Sequence, residues 1–215
     1  MRNEISASVI KRLPRYYRLL GELSKKGVIK ISSKELASFL RSTASQIRQD
    51  LNCFGGFGQQ GYGYNVESLR HEIGEILGVN KKQPAIIIGM GNMGRALALH
   101  IDFKERGCEL IGLFDSNPEL TGLMVGEMAI RNYKEIEKFC NEREPKVAVL
   151  CVPKDSAKDI ADKLVSLGIK GFWNFSHYDL IGAYEGVAVE NVHIGDSLLR
   201  LGYAMNKDEE NTPIE

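Results

Sequence analysis

The stretch that most limits what this chain can fold into is Pro84-Ala85-Ile86-Ile87-Ile88-Gly89-Met90-Gly91-Asn92-Met93-Gly94. A β-branched apolar run that ends in Gly-x-Gly-x-x-Gly and continues into Arg95-Ala96-Leu97-Ala98-Leu99 reads as a buried strand, a tight turn and a helix start. That arrangement aims free backbone N–H groups and the positive end of a helix at one spot, where a pyrophosphate fits. The glycine pattern alone is weak evidence, so its surroundings matter. Cys108 to Phe114 reads as the second strand, and Asp115 at its end supplies the acid expected about 20 residues on. Such an acid accepts hydrogen bonds from an adenosine ribose and repels a 2′-phosphate, and no Arg follows in Ser116-Asn117-Pro118-Glu119. NAD is therefore favoured over NADP, with a glycine turn used only for packing as the alternative.

Composition narrows the setting. The 215 residues are 43% apolar and 26% charged, ordinary for a globular chain of one large domain or two small ones. No apolar stretch approaches the roughly 20 residues that cross a bilayer, and residues 1–18 lack the apolar centre of a signal peptide, so a cytoplasmic location is expected. Cys53, Cys108, Cys140 and Cys151 match no zinc or Cys-x-x-Cys spacing and are expected to be buried, reduced thiols. The zero net charge conceals an uneven distribution. Residues 1–66 carry 11 Lys or Arg against Glu4, Glu22, Glu35 and Asp50, which is +7 and leaves −7 for the remainder. A basic head meets a polyanion or presents a solvated face, and charge alone does not choose.

Within that head, Ile10, Leu13, Tyr17, Leu20 and Leu23 keep helical spacing from about Ser8 to Lys25, with Gly27 as the stop. Val28-Ile29-Lys30-Ile31 is a short apolar link that suits one strand. Ser32-x-x-Glu35 and Thr43-x-x-Gln46 are capping-box patterns opening a second and a third helix. Two short helices joined by a tight turn read as a helix-turn-helix. On the third helix Ala44, Ile47 and Leu51 share one side, while Ser45, Gln46 and Gln49, flanked by Arg48, face the other. Gln suits adenine and Arg suits guanine or phosphate in a major groove, although an ordinary polar helix face has the same composition. Phe54 to Val66 alternates glycine with aromatic and amide residues. This reads as the hairpin wing of a winged helix with Gln59-Gln60 at a tip that reaches a minor groove, or else as a low-complexity linker. Val66 to Leu77 reads as a further helix and residues 78–84 as a linker, which bounds a DNA-binding domain at 1–80.

Beyond the linker, strand and helix alternate, the mark of a parallel sheet. Helices are expected at 133–142 and 155–167, and strands at 146–153, 171–176 and 187–192, giving a Rossmann-type domain over 84–194. The loops after Val152 and Asn174 leave C-terminal strand ends, where ligands of open α/β sheets bind. Leu198, Leu201, Gly202 and Met205 form a stripe on a final helix at 195–206, covered either by the parent sheet or by a partner subunit. The acid-rich residues 207–215 are expected to be disordered. The nucleotide fold uses the chain from Pro84 to Val192, which leaves no substrate domain. His71, His100, His177 and His193 fit no catalytic pattern. The sequence offers binding without turnover, not an enzyme, and no metal site.

Taken in order, these parts resemble the Rex family of redox-sensing transcriptional repressors. The resemblance spans nearly the whole chain. It is carried by Ile47-Arg48-x-Asp50-Leu51, Phe54-Gly55, Gly58-x-x-Gly61-x-Gly63-Tyr64, Ile88-Gly89-Met90-Gly91-x-x-Gly94 and Val189-Glu190-Asn191-Val192. It implies an α/β chain in which a winged helix-turn-helix domain precedes a Rossmann-type parallel-sheet domain and a swapped C-terminal helix. It also implies a homodimer on palindromic operator DNA that leaves when NADH occupies the Rossmann site, with NAD+ competing. By the same resemblance Arg12, Ser45, Gln46, Arg48 and Gln49 face the operator, Gln59 and Gln60 enter the minor groove, and Arg18 lies near the domain interface. Gly89, Gly91, Asn92, Met93, Gly94 and Asp115 hold the adenosine half of the dinucleotide, and Val152, Pro153 and Asn174 lie towards nicotinamide. Relatives often have basic residues at the wing tip and at position 49, where this chain has glutamines, which implies a different operator and a weaker salt dependence. They also often have a Tyr and an acid where this chain has His100 and His193, a pair proposed to sense the cofactor. Two histidines there would make the switch pH-sensitive. An NAD-dependent oxidoreductase and a CoA- or nucleotide-binding subunit are the alternatives.

Overall fold

The structure, a computed structural model, describes residues 5–54 and 63–210, the last four by their backbone alone. The expected wing tip at Gln59 and Gln60 lies outside the described residues. The chain divides into two compact units, Met1–Lys81 and Lys82–Glu215.

The first unit runs α1 (Ala7–Lys25), β1 (Lys30–Ile31), α2 (Ser33–Leu40), α3 (Ala44–Asn52), β2 (Tyr64–Asn65) and α4 (Val66–Leu77). Both helix starts marked by capping patterns occur. Ser32 Oγ accepts from the Glu35 N–H at 3.1 Å and the Glu35 carboxylate accepts from the Ser32 N–H at 2.8 Å, which holds the Glu35 carboxyl below its ordinary range. Thr43 Oγ1 accepts from the Gln46 N–H at 3.1 Å, but the Gln46 side chain does not return to close the box. Leu36, Ala37, Leu40, Ile47 and Leu51 of α2 and α3 pack with Leu13, Leu20 and Leu23 of α1 and Leu69 and Ile73 of α4 into one core. The buried seam of α1 is Val9, Leu13, Tyr16, Leu20 and Leu23, so Tyr16 replaces the expected Tyr17, and Ile10 is exposed. The rotation brings the Tyr16 hydroxyl to a buried acid described below. The apolar link at 28–31 finds its partner in β2, antiparallel, with Lys30 opposite Asn65 and Ile31 opposite Tyr64.

The second unit contains β3 (Gln83–Ile88), α5 (Asn92–His100), β4 (Cys108–Asp115), β5 (Met124–Val125), β6 (Met128–Asn132) and α6 (Ile136–Arg143). It continues with β7 (Val147–Leu150), α7 (Lys154–Ser166), β8 (Gly171–Asn174), β9 (Ala188–Asn191) and α8 (Ile194–Glu210). Its strands form one sheet of order β5-β6-β4-β3-β7-β8-β9, parallel except for the β5–β6 edge pair. The chain therefore leaves β3 on one side for β4 and β6, then returns to its other side for β7, β8 and β9. The crevice of such a sheet opens where the direction reverses, between β3 and β7. Central β3 is buried on both faces: Ile86 and Ile88 join a core with Ile136, Phe139 and Leu164, and Ala85 and Ile87 join another with Leu113, Ile130 and Val149.

Three expectations are corrected. The terminal helix runs on to Glu210 instead of ending near residue 206, since no Gly or Pro interrupts Asn206 to Glu210. Cys53 is exposed instead of buried, because it caps the C-terminus of α3 and its thiol donates to the Gln49 carbonyl at 3.3 Å. The helix expected from residue 133 opens as a 3₁₀ turn, Tyr133–Glu135, before α6 begins. Among the described residues no helix is long and apolar enough to cross a membrane.

Candidate functional site

The glycine turn follows β3 at the crevice. Gly89 has φ +93°, and a Cβ there would lie 2.4 Å from the Cys151 carbonyl oxygen beyond β7, so the two strand ends touch backbone to backbone. A Cβ on Gly94 would lie 1.9 Å from the Gly89 carbonyl oxygen, so α5 starts hard against the turn. Gly91 differs. Its backbone is extended, at φ −69° and ψ −164°, and a Cβ would meet nothing within 4 Å. Neither conformation nor protein packing requires glycine at that position. No side chain caps α5, and Asn92 and Met93 stand exposed in its first turn, which leaves the N–H groups of a helix start for an anion.

Asp115 ends β4 as expected, and it also braces the turn. Its Oδ2 accepts from the Met90 N–H at 2.6 Å and its Oδ1 from the Asn117 N–H at 2.8 Å. Arg95, one turn into α5, donates from Nε to the Met90 carbonyl at 2.9 Å. Sequence reasoning assigned Arg95 nothing; its place directly after the third glycine was the available signal.

Beyond the turn a cavity of about 230 Å³ opens at the ends of β7, β8 and β9, lined by Met93, Cys151, Val152, Phe175, His177, Val192 and Ile194. Val152 is in it as expected. Pro153 is not: it is exposed and precedes α7, its carbonyl accepting from the N–H and hydroxyl of Ser156. Asn174 is 1% exposed and its amide is committed to protein. Nδ2 donates to the Tyr178 carbonyl at 2.6 Å and to Asn191 Oδ1 at 2.8 Å, while Oδ1 accepts from the Ser176 N–H and hydroxyl. Asn191 in turn donates to Asp179 at 2.7 Å. Asn174 thus shapes the loop that carries Phe175 and His177 and is not itself a lining residue. Burial pushes the Cys151 thiol up to about 12, so it is no thiolate. His193 stacks on His177, ring centroids 5.7 Å apart, whereas His100 is exposed at the end of α5.

In the first unit, Ser45, Arg48 and Gln49 are exposed on α3, and Arg48 Nη1 donates to Ser33 Oγ at 3.1 Å. Arg12 and Gln46, expected on the same surface, are turned inward by Asp50. This fully buried acid accepts from Arg12 Nε and Nη2 at 2.6 and 2.7 Å, from the Tyr16 hydroxyl at 2.5 Å and from Gln46 Nε2 at 2.8 Å. Burial pushes the Asp50 carboxyl up, but its hydrogen bonds to Arg12, Tyr16 and Gln46 outweigh burial and hold it below the carboxylate range. The hub ties α1 to α3 and fixes the orientation of the exposed face. Arg18 is exposed on α1.

Comparison with known proteins agrees with this division. Residues 4–52 match a family model described as a putative DNA-binding protein N-terminus, and residues 80–178 match a CoA binding domain. A redox-sensing transcriptional repressor Rex from Caldanaerobacter subterraneus subsp. tengcongensis is 49% identical over 95% of this chain and 91% of its own. The Rex of Clostridioides difficile is 48% identical over 94% and 96%. Among solved structures, the Rex-family repressor RSP in complex with β-NAD+ and operator DNA superposes with a TM-score of 0.88 at 48% identity, covering 96% of this chain and 95% of that one. RSP in complex with β-NADH gives 0.86 at 45% identity, covering 95% and 96%. With this level of identity over almost its full length, the chain belongs to the Rex family of redox-sensing transcriptional repressors.

Proposed function

We propose that this protein is an NADH-responsive repressor whose second unit binds NAD(H) at the Gly89–Gly94 turn and whose first unit binds operator DNA through α3. The single observation that carries the ligand half is Gly91, a glycine with room for a side chain beside an uncapped helix start. Relatives 45–48% identical to it form complexes with β-NADH and with β-NAD+ plus operator DNA. The dinucleotide supplies a pyrophosphate for the turn, a ribose for Asp115 and a ring whose charge depends on its redox state. What the chain contributes is position: N–H donors at the start of α5, an acid at the end of β4, and a largely apolar cavity beyond Met93 and Val152.

Ser45, Arg48 and Gln49 form the operator face. Two copies address a palindrome, paired through α8, where Leu198, Leu199, Leu201, Tyr203 and Met205 are each more than half exposed. A repressor that binds operator DNA works in the cytoplasm, as this reading places it. Arg12 and Gln46 are positioning residues on this reading.

The test is a labelled AT-rich palindrome bound by the protein and titrated with each nucleotide. NADH should release the DNA at a concentration well below that required of NAD+. Equal concentrations for the two would overturn the proposal.

A further inference from the structure

The cavity beyond the glycine turn contains no carboxylate among its lining residues. Met93, Val152, Phe175, Val192 and Ile194 are apolar, and the Cys151 thiol stays protonated. A cation moved from water into such a place finds no partner, whereas a neutral ring loses little. The exception in the wall is His177, which stacks on His193 with ring planes 21° apart. His177 is held at φ +58°, a left-handed backbone uncommon for a residue with a side chain, by the loop that Asn174 braces. Ionisable residues border the pair. Asp179, on the loop that carries His177, is hydrogen-bonded to the Ile181 N–H and to Asn191 and feels the charge of His193, which follows β9. Tyr178 lies between His177 and Asp179 and takes the Asn174 amide on its carbonyl. Asp196 in the first turn of α8 donates its N–H to the His193 carbonyl at 3.1 Å. Asp179 can offset one imidazolium of the pair.

Resting on the dinucleotide reading, we propose that the His177–His193 pair sets the redox preference of the site by charge: once protonated, it excludes the cationic ring of NAD+ and tolerates the neutral ring of NADH. Histidine is the side chain whose charge changes between about pH 5 and 8, and a protonated pair would present positive charge at the cavity wall. The ratio of affinities therefore becomes a function of pH, although neither dinucleotide changes its own charge across that range.

The experiment measures the Kd of NAD+ and of NADH by calorimetry at pH 8 and pH 6 on the full-length protein, without DNA. From pH 8 to pH 6 the NADH preference should rise about tenfold, through weaker NAD+ binding and not through stronger NADH binding. His177→Asn, which tolerates the left-handed backbone, and His193→Asn should each flatten that rise. A native protein whose affinity ratio is the same at both pH values overturns the proposal, as does a rise that survives in both variants. Failure of both nucleotides to bind at either pH is a different result, and it removes the dinucleotide reading itself together with this inference.

Discussion

Replacing Gly91 with alanine separates a glycine kept for a ligand from glycines kept for the fold. At φ −69° and ψ −164° the backbone is one that alanine adopts freely, and the added methyl meets no protein atom within 4 Å. The fold should lose nothing and gain about 0.5 kcal/mol, because alanine has less freedom to surrender on folding. For a bound pyrophosphate the outcome is opposite. A methyl over the open face of the turn holds the phosphates away from the N–H donors at the start of α5. Two charge-assisted hydrogen bonds lost or lengthened, at about 1.5 kcal/mol each, weaken binding by about 3 kcal/mol, or about 100-fold in Kd. The assay pairs a thermal melt with a titration of NADH followed by its own fluorescence. The expected result is an unchanged or raised Tm together with lost affinity. Gly94→Ala and Gly89→Ala show the contrast: their Cβ atoms would lie 1.9 and 2.4 Å from carbonyl oxygens, so both should lower Tm before any ligand is added. A Gly91→Ala protein with native stability and native NADH affinity would refute the cradle argument.

Three further outcomes follow from the geometry. Asp50→Asn leaves Arg12 without its charge partner and should cost about 3 kcal/mol in urea unfolding. Because the Asp50 carboxyl is held below its unfolded value, its contribution is complete above about pH 4 and is lost as pH falls through the folded value. The native protein should therefore lose stability in acid more steeply than the variant. Arg48→Ala should weaken operator binding and reduce the slope of log K against log salt by about 1, whereas Gln46→Ala should act chiefly on stability; filter binding at several salt concentrations distinguishes them. At pH 8 a maleimide should label exposed Cys53 rapidly and leave Cys151 and Cys140 unmodified, read by peptide mapping, since burial holds both thiols in their protonated form.

What was legible in the sequence is what depends on neighbours along the chain. The capping residues Ser32 and Thr43 mark the starts of α2 and α3 because their hydrogen bonds close over three residues. The glycine turn shows in the sequence for the same reason. Partners brought together by tertiary structure were hidden. Nothing near Asp50 announces that Arg12, 38 residues away, will meet it. Arg12 was therefore expected to face the operator, and Gln46 read as one amide of an outward face. Asn174 stands at a strand end where ligand groups commonly lie, but its Tyr178 and Asn191 partners come from a loop and a strand whose arrangement only the fold determines. The stacking of His193 on His177, 16 residues away, was hidden in the same way.

The two ends of the proposed site differ in how firmly they are built. The turn end is backbone locked to backbone, whereas the cavity end is made of chain that leads directly into α8. The Val192 N–H donates to the Asn174 carbonyl at 2.8 Å, and Asn191 links Asn174 to Asp179. Two of the next residues, Val192 and Ile194, line the cavity, and Ile194 begins the helix. A ring filling the cavity therefore bears on the residues that aim α8. The helix has 17 residues, about 25 Å at 1.5 Å per residue. A tilt of about 10° at its start moves its far end by about 4 Å, enough to repack an exposed apolar stripe against a partner. Asn191→Ala removes the two hydrogen bonds joining β8, β9 and the Asp179 loop, at about 1 kcal/mol each, without touching the turn. NADH should still bind within about threefold of the native affinity, because the pyrophosphate and ribose contacts remain. Operator release should require several-fold more NADH, because a loosened loop absorbs the strain instead of passing it to α8. Since coupling is reciprocal, operator DNA should also weaken NADH binding less in the variant than in the native protein. If both couplings keep their native size, the Asn174–Asn191–Asp179 chain braces the cavity and plays no part in transmitting its occupancy.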